Sequence, residues 1–169
     1  MTNITLRHEF ETDEDTYWAR CVFDPDFNRK LYIEALQFPV WRLLDSKDDC
    51  AQIRLRVQVD PPVGTLPAAL RKVIGDRLSY VEEGTFDKST KRYAFKVVPS
   101  TLAEKTKVEG EMWIERLGPK KIARVTSIAV AVKVFMVGGL VEDRIVSDLR
   151  SSYDKGAAFT IQYLREHQL

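Results

Sequence analysis

The sequence predicts an α+β fold in which a curved antiparallel sheet of about six or seven strands wraps around one long C-terminal helix. Three observations predict it: several segments alternate apolar and polar residues, turn-forming residues separate the later segments, and the chain ends in one long amphipathic stretch. An antiparallel sheet with one apolar face needs a cover, and the terminal helix is the only predicted element long enough to supply it. The sheet should therefore curl around that helix.

The first predicted elements are one strand and two short helices. Residues 3–10 alternate apolar and polar side chains, which is the pattern of a half-buried strand. Capping and acidic residues favour a short helix over about residues 12–23, because the positive end of a helix dipole attracts negative charge. Asp24-Pro25 should end it, and a second short helix is predicted to about Leu36.

A run of strands follows, interrupted once by a helix. The chain becomes strand-like from about Phe38, and residues 53–59 alternate most clearly before Pro61-Pro62 end that strand. Residues 66–75 carry apolar residues at helical spacing. Turn-forming residues separate the later strands, so neighbours should pair antiparallel. These strands are predicted at about 78–87, 91–99, 104–116 and 121–136.

The sequence then passes through Gly138-Gly139 into the amphipathic stretch. A phosphate-binding loop would need a following Lys-Ser/Thr, but acidic residues follow this diglycine. A residue without Cβ suits a sharp turn and a helix that starts close to another backbone. We therefore predict a corner between the last strand and a single long helix.

Composition excludes several function classes. The formal net charge of +1 gives no basic surface for nucleic acid, so none is expected as a partner. Cys21 and Cys50 are far apart and form no zinc-binding pattern, so we expect neither metal nor cofactor. The N-terminus lacks the features of a signal peptide, and the longest apolar stretch is short for a membrane helix. A cytosolic protein, monomeric or homodimeric, is expected.

Nearly the whole chain resembles the helix-grip superfamily, which includes START lipid-transfer domains, birch-pollen-type allergens and bacterial polyketide cyclases. Three segments carry this resemblance: "ITLRHEF", "EGEMWIERLGPKKIARVTSIAVAVKV" and "GGLVEDRIVSDLRSSYDKGAAFTIQYL". Among bacterial members the chain is similar to an uncharacterised START-like family, and more distantly to the sterol-binding VASt domains. The resemblance implies a single START-like domain over residues 1–169, with a cavity between sheet and helix in which relatives bind lipids, sterols or other apolar molecules.

Strand alternation identifies side chains that should face this cavity. If Lys133 faces solvent, Arg124 is the one charged residue on the inner face of the last strand. On the helix, Ser152 and Gly156 lie one turn apart at the centre of the buried face and should leave space there. A filled core, or small residues that only let helix and sheet approach, are the alternatives. The candidate ligand contacts are Tyr93, Phe95, Met112, Arg124, Thr126, Ile128, Val130, Leu149, Ser152, Gly156 and Phe159.

Catalysis is a second hypothesis. His8 lies on the apolar side of the first strand, and Glu82 or Glu83 must turn inward on a later one. A buried histidine and carboxylate could move protons in cyclase-type or dehydratase-type chemistry. The alternative is a hydrogen-bonded core histidine without a catalytic role.

The helix over residues 66–75 could be a lid that contacts membranes. Leu66, Leu70 and Ile74 would touch lipid, while Arg71 and Lys72 would meet anionic head groups. The alternative is a helix that only packs on the core. The leading functional prediction is thus a carrier that binds a hydrophobic small molecule or lipid, with an enzyme or an interaction module with a filled cavity as alternatives.

Overall fold

The computed structural model describes residues 1–64 and 68–169. In the helix that begins at residue 68, it does not describe the side chains at positions 69, 73 and 74. Leu66 and the side chain of Ile74, both predicted to belong to a lid, therefore lie outside the described residues. The sequence-predicted architecture is confirmed: seven antiparallel strands form one curved sheet, short helices follow the first strand, and one long helix ends the chain.

The strands are β1 (Thr2–Phe10), β2 (Val40–Asp48), β3 (Gln52–Asp60), β4 (Tyr80–Asp87), β5 (Arg92–Pro99), β6 (Thr106–Gly118) and β7 (Lys121–Val132). The helices are α1 (Glu14–Tyr17), α2 (Pro25–Arg29), α3 (Ala68–Ile74) and α4 (Gly138–Glu166), with a 3₁₀ turn at Ala103–Lys105. α1 and α2 continue as π-helical segments, Trp18–Val22 and Lys30–Ala35.

The order of strands in the sheet is β1-β7-β6-β5-β4-β3-β2. Each strand from β2 to β6 pairs antiparallel with the next one along the chain, including β3 and β4, which are joined by the longer connection that contains α3. β1 pairs with β7 instead, from Thr2 opposite Val130 to Phe10 opposite Ile122. The first and last strands therefore lie side by side, and α4 packs against both.

Two strand predictions differ from the structure. The strand-like region after Phe38 is divided into β2 and β3, because the Asp49 carboxylate accepts hydrogen bonds from the backbone N–H groups of Ala51 and Gln52 and so forms a tight turn. β7 ends at Val132 rather than at about residue 136. Residues 135–137 form a turn that leads into α4.

The diglycine corner depends on one of its two glycines. A Cβ at position 138 would lie 2.5 Å from the carbonyl oxygen of Val132, so only glycine fits there. A Cβ at position 139 would meet no atom of the described residues within 4 Å. Glu142 fastens the corner by accepting a hydrogen bond of 2.8 Å from the backbone N–H of Val132.

A candidate ligand-binding cavity

A cavity of about 380 Å³ lies between the concave face of the sheet, α4, and the segments that contain α1 and α2. This volume falls within the range of about 300–1,000 Å³ that is typical of small-molecule sites. The cavity is open space that side chains do not fill, so the predicted filled module does not describe this structure. Its apolar lining includes Leu31, Phe38, Trp41, Leu43, Leu55, Val57, Val59, Phe95, Val97, Val108, Met112, Ile145 and Leu149.

Seven of the eleven candidate ligand contacts line this cavity. They come from three strands and the long helix, and alternation along each strand turns them to the concave face. On α4, a Cβ at Gly156 would be 3.5 Å from Cδ1 of Leu31, an ordinary contact, so the helix does not need a glycine for close approach there. The seven are Tyr93, Phe95, Met112, Arg124, Leu149, Ser152 and Gly156.

The structure places the other four candidates away from the described cavity surface. Ile128 and Val130 are buried in a cluster with residues of β1 and α4, because α4 packs directly over β7 at this level. Thr126 is fully buried on the same strand. Phe159 packs against Phe27 with ring centroids 5.6 Å apart, so α2 covers it. Side-chain alternation identified the inward face but not how much of it α4 covers.

α2 with its π-helical continuation, β2 and β3 also contribute to the lining, which was not predicted from the sequence. Tyr32 follows α2, Trp41 lies on β2, and Val57 lies on β3. The alternation of residues 53–59 was a usable signal, because one face of that strand had to be buried. Nothing in the sequence pattern brought α2 to this place, since its position is set by contacts with α4 and β2.

Glu82 and Glu83 face opposite sides of the sheet. Glu82 lines the cavity, and burial raises the pKa of its carboxyl group. Glu83 faces outward, where hydrogen bonds from Lys96 and Arg56 lower its pKa. Of the two alternatives, the inward carboxyl group is therefore that of Glu82.

Tyr93 holds Glu82 in place. Its hydroxyl donates a hydrogen bond of 3.1 Å to Oε1 of Glu82. A Cβ at position 84 would overlap the ring and hydroxyl of Tyr93, so Gly84 provides the room for this side chain to cross from β5 to β4. Burial also raises the pKa of the Tyr93 hydroxyl, with the Glu82 charge adding to the effect, which keeps the hydroxyl protonated and able to donate.

Arg124 is the cationic group of the cavity lining as described. It is 9% exposed, and its guanidinium lies 5.4 Å from the ring of Phe10 and 5.0 Å from the ring of Tyr153. Nη1 donates to the hydroxyl of Tyr17 at 3.2 Å, and Nη2 donates to Nδ1 of His8 at 3.0 Å. The buried guanidinium is thus held by cation–π contacts and neutral acceptors.

The contact with Arg124 defines the tautomer of His8. A guanidinium can only donate, so Nδ1 of His8 must accept and the ring proton must be on Nε2. Nε2 lies 2.8 Å from Oδ1 of Asp154, to which it donates. His8 therefore connects a buried cation to an exposed carboxylate on α4.

His8 and Glu82 do not form the acid–base pair that the sequence suggested. Three strands lie between β1, which carries His8, and β4, which carries Glu82. The hydrogen bonds of His8 go to Arg124 and Asp154, whereas Glu82 is bonded by Tyr93. The strand order separates two residues that the sequence pattern alone could not place.

Three further tyrosines, Tyr32, Tyr80 and Tyr153, line the cavity. Burial raises the pKa of Tyr32 and Tyr80, and it raises the pKa of Tyr153 to about 12. The charge of Arg124 lowers the pKa of Tyr32 and Tyr153, and the charge of Glu82 raises it. Tyr32 and Tyr153 therefore lie within electrostatic reach of both groups.

Leu70 is the one predicted lid residue whose side chain is described, and its position differs from the prediction. Leu70 is 4% exposed and packs in a cluster with Val132 and Val141, so it faces the protein and not the surface. Arg71 and Lys72 are exposed on the same helix. α3 thus turns Leu70 inward and its basic residues outward.

The described residues contain no group of three or more side chains arranged to hold a metal ion. Among the helices described, none combines the length and the apolar character needed to cross a bilayer. What the described cavity lining offers chemically is an apolar surface, several hydroxyl donors, the carboxyl groups of Glu82 and Asp148, and one guanidinium.

Solved structures of similar fold are numerous. A START superfamily protein from Mycobacterium smegmatis aligns with a TM-score of 0.60 and 14% identity, covering 96% of this chain and 98% of that one. The Zhui aromatase/cyclase from Streptomyces sp. R1128 aligns with a TM-score of 0.65 and 8% identity, over 96% and 94%. Norcoclaurine synthase from Thalictrum flavum aligns with a TM-score of 0.63 and 12% identity, over 95% and 86%.

At these identities the similarity establishes the START-like, helix-grip fold. No curated protein is significantly similar to the chain in sequence. Residues 5–164, which are almost the whole chain, match one protein family. The chain therefore belongs to the family described as "Protein of unknown function (DUF2505)".

Proposed function

We propose that this protein binds a hydrophobic small molecule or lipid in the cavity between its sheet and α4. The observation that carries the proposal is a cavity of about 380 Å³ whose lining is mainly aliphatic and aromatic, with a few convergent polar groups. Sites of this composition bind by apolar burial, which contributes about 25 cal/mol per Å² removed from water, and use their polar groups to orient the ligand.

The seven candidate residues on the cavity wall are the proposed contacts. Phe95, Met112 and Leu149 supply apolar surface, and the flexible thioether of Met112 adapts to ligand shape. Ser152 and Gly156 leave space beside α4 because their side chains are small. Tyr93 and Arg124 would orient the polar part of the ligand.

The first test is native mass spectrometry of gently purified protein, followed by organic extraction of any bound molecule. We expect an adduct whose mass identifies a hydrophobic compound. A clean protein mass that persists after incubation with lipids and sterols would contradict the proposal.

A matched pair of variants tests whether the ligand occupies this cavity. Ser152→Trp would place an indole in the cavity, whereas Ser151→Trp would place the same group on the exposed side of α4. We expect Ser152→Trp to lower ligand occupancy at least tenfold and Ser151→Trp to leave it unchanged, with circular dichroism confirming that both are folded. Equal occupancy in both variants would place the ligand elsewhere.

Acid–base catalysis on the bound molecule is a second candidate, favoured by the buried carboxyl group of Glu82. An acid with a raised pKa in an apolar cavity can retain a proton for transfer to a substrate. Two of the similar folds are named as an aromatase/cyclase and a synthase. In this chain Glu82 would act without His8, because His8 is bonded elsewhere.

The extracted ligand provides the test of catalysis. Prolonged incubation of that compound with wild-type protein should yield a product of altered mass or chromatographic retention, and Glu82→Gln should abolish the conversion while retaining binding. An unchanged compound after incubation with wild-type protein would exclude turnover of that ligand.

Exchange of the ligand with a membrane is favoured by an exposed apolar corner between β7 and α4. Phe135 and Met136 are 91% and 85% exposed, and Leu140 is 55% exposed. Exposed Lys133 precedes them. The corner adjoins a cluster that contains the cavity residues Leu78 and Ile145, so a bilayer that received these side chains would lie near one end of the cavity.

Vesicle co-sedimentation tests this exchange. The double variant Phe135→Ser/Met136→Ser should lose association with vesicles that contain anionic lipid. Leu117→Ser, at an exposed leucine near the end of β6, is the control and should keep it. Equal association of both variants, or none by wild-type protein, would contradict the proposal.

A further inference from the structure

Arg124 carries a buried positive charge whose direct partners are neutral. Its guanidinium donates to a tyrosine hydroxyl and to an imidazole nitrogen. Among the described residues, no aspartate or glutamate lies within ion-pair distance of it, and Nε has no hydrogen-bond acceptor. Asp154 acts on it only through His8, and that carboxylate is 72% exposed.

Such an arrangement leaves both charge and hydrogen-bonding capacity unused. A guanidinium has five N–H donors, and only two hydrogen bonds from Arg124 are made to the described residues. Buried charges in proteins are normally paired, because taking an ion out of water costs several kcal/mol even after relaxation. An anion in the cavity would supply the charged partner, because Arg124 lines that cavity.

Tyr17 adds a donor at the same place. Its hydroxyl oxygen accepts from Nη1 of Arg124, so its own proton is directed elsewhere, and Tyr17 also lines the cavity. One acceptor group entering beside Arg124 could accept hydrogen bonds from the N–H groups of the guanidinium and from the O–H group of Tyr17. A planar carboxylate matches the fork of a guanidinium and accepts two parallel hydrogen bonds.

The charge balance favours a single negative charge. Arg124 is the one arginine or lysine in the described lining. The lining carboxylate Asp148 is already paired with Arg144 at 2.8 Å. Glu82 is bonded by Tyr93, and its ionisation is disfavoured by burial, so it does not neutralise Arg124. A dianionic head group would leave an uncompensated charge in an apolar cavity.

We infer that the ligand is an apolar carboxylate, whose head group binds Arg124 and Tyr17 while its hydrocarbon part fills the cavity towards Tyr93. This inference rests on the proposed function, because it assigns a ligand class to the same cavity. His8 and Asp154 are positioning residues, since they hold the guanidinium and do not contact the ligand.

The test compares three probes that share one chain: dodecanoate, methyl dodecanoate and dodecyl phosphate, each below its micelle concentration. Isothermal titration of wild-type protein should show dodecanoate binding about 10- to 100-fold more tightly than the uncharged ester, the factor expected from one charge-assisted hydrogen-bonding site. Dodecyl phosphate should bind more weakly than dodecanoate. Tighter binding of the phosphate would overturn the carboxylate assignment.

Variants separate the role of Arg124 from general attraction of anions. Arg124→Gln should abolish the preference for dodecanoate over its ester and leave binding of the ester unchanged. Arg150→Gln, the same substitution at an exposed position of α4, should retain the preference. A preference that survives Arg124→Gln would overturn the assignment of the head-group site.

A measurement on wild-type protein covers the case in which Arg124→Gln does not fold. Carbon-13 NMR of carboxyl-labelled dodecanoate should show that the bound head group stays ionised to a lower pH than the free acid, since the guanidinium stabilises the anion. A head group that binds as the neutral acid would overturn the inference. Equal binding of acid and ester would overturn it and leave the hydrophobic-binding proposal intact, whereas no binding of any probe would overturn both.

Discussion

The hydroxyl of Tyr93 donates a hydrogen bond of 3.1 Å to Oε1 of Glu82, and it reaches that oxygen by passing over Gly84. Three residues from two neighbouring strands thus form one polar feature inside an apolar cavity. Burial disfavours the charged form of the Glu82 carboxyl group, whereas the hydrogen bond from Tyr93 favours it. This balance can be tested one side chain at a time.

Tyr93→Phe should raise the pKa of Glu82 further, because the hydrogen bond that favours the carboxylate is removed while burial remains. The variant should also lose about 1 kcal/mol of unfolding free energy, the usual contribution of such a bond. Carbon-13 NMR titration of the Glu82 carboxyl group measures the first effect and urea denaturation the second. Tyr80→Phe is the control, since Tyr80 makes no hydrogen bond to Glu82, and an equal shift in that variant would contradict the assignment.

Glu82→Gln should make thermal stability less dependent on pH. Burial raises the pKa of Glu82 above 4.5 in the folded protein, so the folded state binds this proton more tightly than the unfolded state. The stability contributed by Glu82 is therefore fully present below pH 4.5 and is lost as the pH rises through the folded-state pKa. The melting temperature of the wild type should fall relative to that of Glu82→Gln as the pH increases through this window.

The stability contributed by Glu83, the residue next to Glu82, should depend on pH in the opposite direction. Ion pairs with Lys96 and Arg56 lower the pKa of Glu83 below 4.5, so its contribution is present above that pH and lost on acidification through the lowered pKa. Glu83→Gln should be less stable than the wild type by about 0.5 kcal/mol at neutral pH, with the difference closing in acid. Parallel pH profiles for the two variants would contradict the inward and outward assignment.

Gly84→Ala should displace Tyr93. The added methyl group would overlap the tyrosine ring and hydroxyl, and insertion of a methyl group into a packed site costs about 1–3 kcal/mol. Urea denaturation measures the loss, and near-ultraviolet circular dichroism should show a changed tyrosine environment. Gly75→Ala is not a suitable control, because Gly75 has a positive φ of 84°. Unchanged stability of Gly84→Ala would show that the ring does not cross at this point.

The two corner glycines should respond in opposite directions to alanine. Gly138→Ala would bring a Cβ against the Val132 carbonyl and should destabilise the protein by about 1–3 kcal/mol. The added Cβ of Gly139→Ala would have no atom within 4 Å in the part of the chain that the structure describes, and the variant should be more stable by about 0.5 kcal/mol, because the unfolded chain loses freedom. Thermal unfolding of both variants provides the measurement, and destabilisation by both would mean that the corner requires two glycines.

Arg124 and Thr126 show what side-chain alternation can predict and what it cannot. The period of two placed both on the inner face of β7, and the structure places both on that buried side. Only Arg124 lines the cavity, because α4 covers the middle of β7 and leaves this part open. Alternation reports which face a residue occupies, whereas coverage depends on where the helix lies over the sheet.

His8 and Glu82 show the opposite case. Both were identified as unusual inward polar residues, and both do turn to the concave side, but the pairing between them was wrong. Their partners are Arg124 and Asp154 in one case and Tyr93 in the other, and all three come from other elements of the fold. Such pairings depend on strand order, for which the sequence pattern contains no direct signal.

By itself, the sequence determined the order of the elements apart from the division into β2 and β3, the antiparallel pairing of the later strands, the long covering helix and the corner at Gly138-Gly139, because periodicity, turn residues and Cβ-free positions are local properties of the chain. Only the tertiary structure decided that β1 pairs with β7, that Glu82 and Arg124 belong to separate polar groups, and that α2, β2 and β3 help to enclose an open cavity. These features arise from contacts between residues far apart in the sequence, and their geometry is set by how the helices pack across the curved sheet.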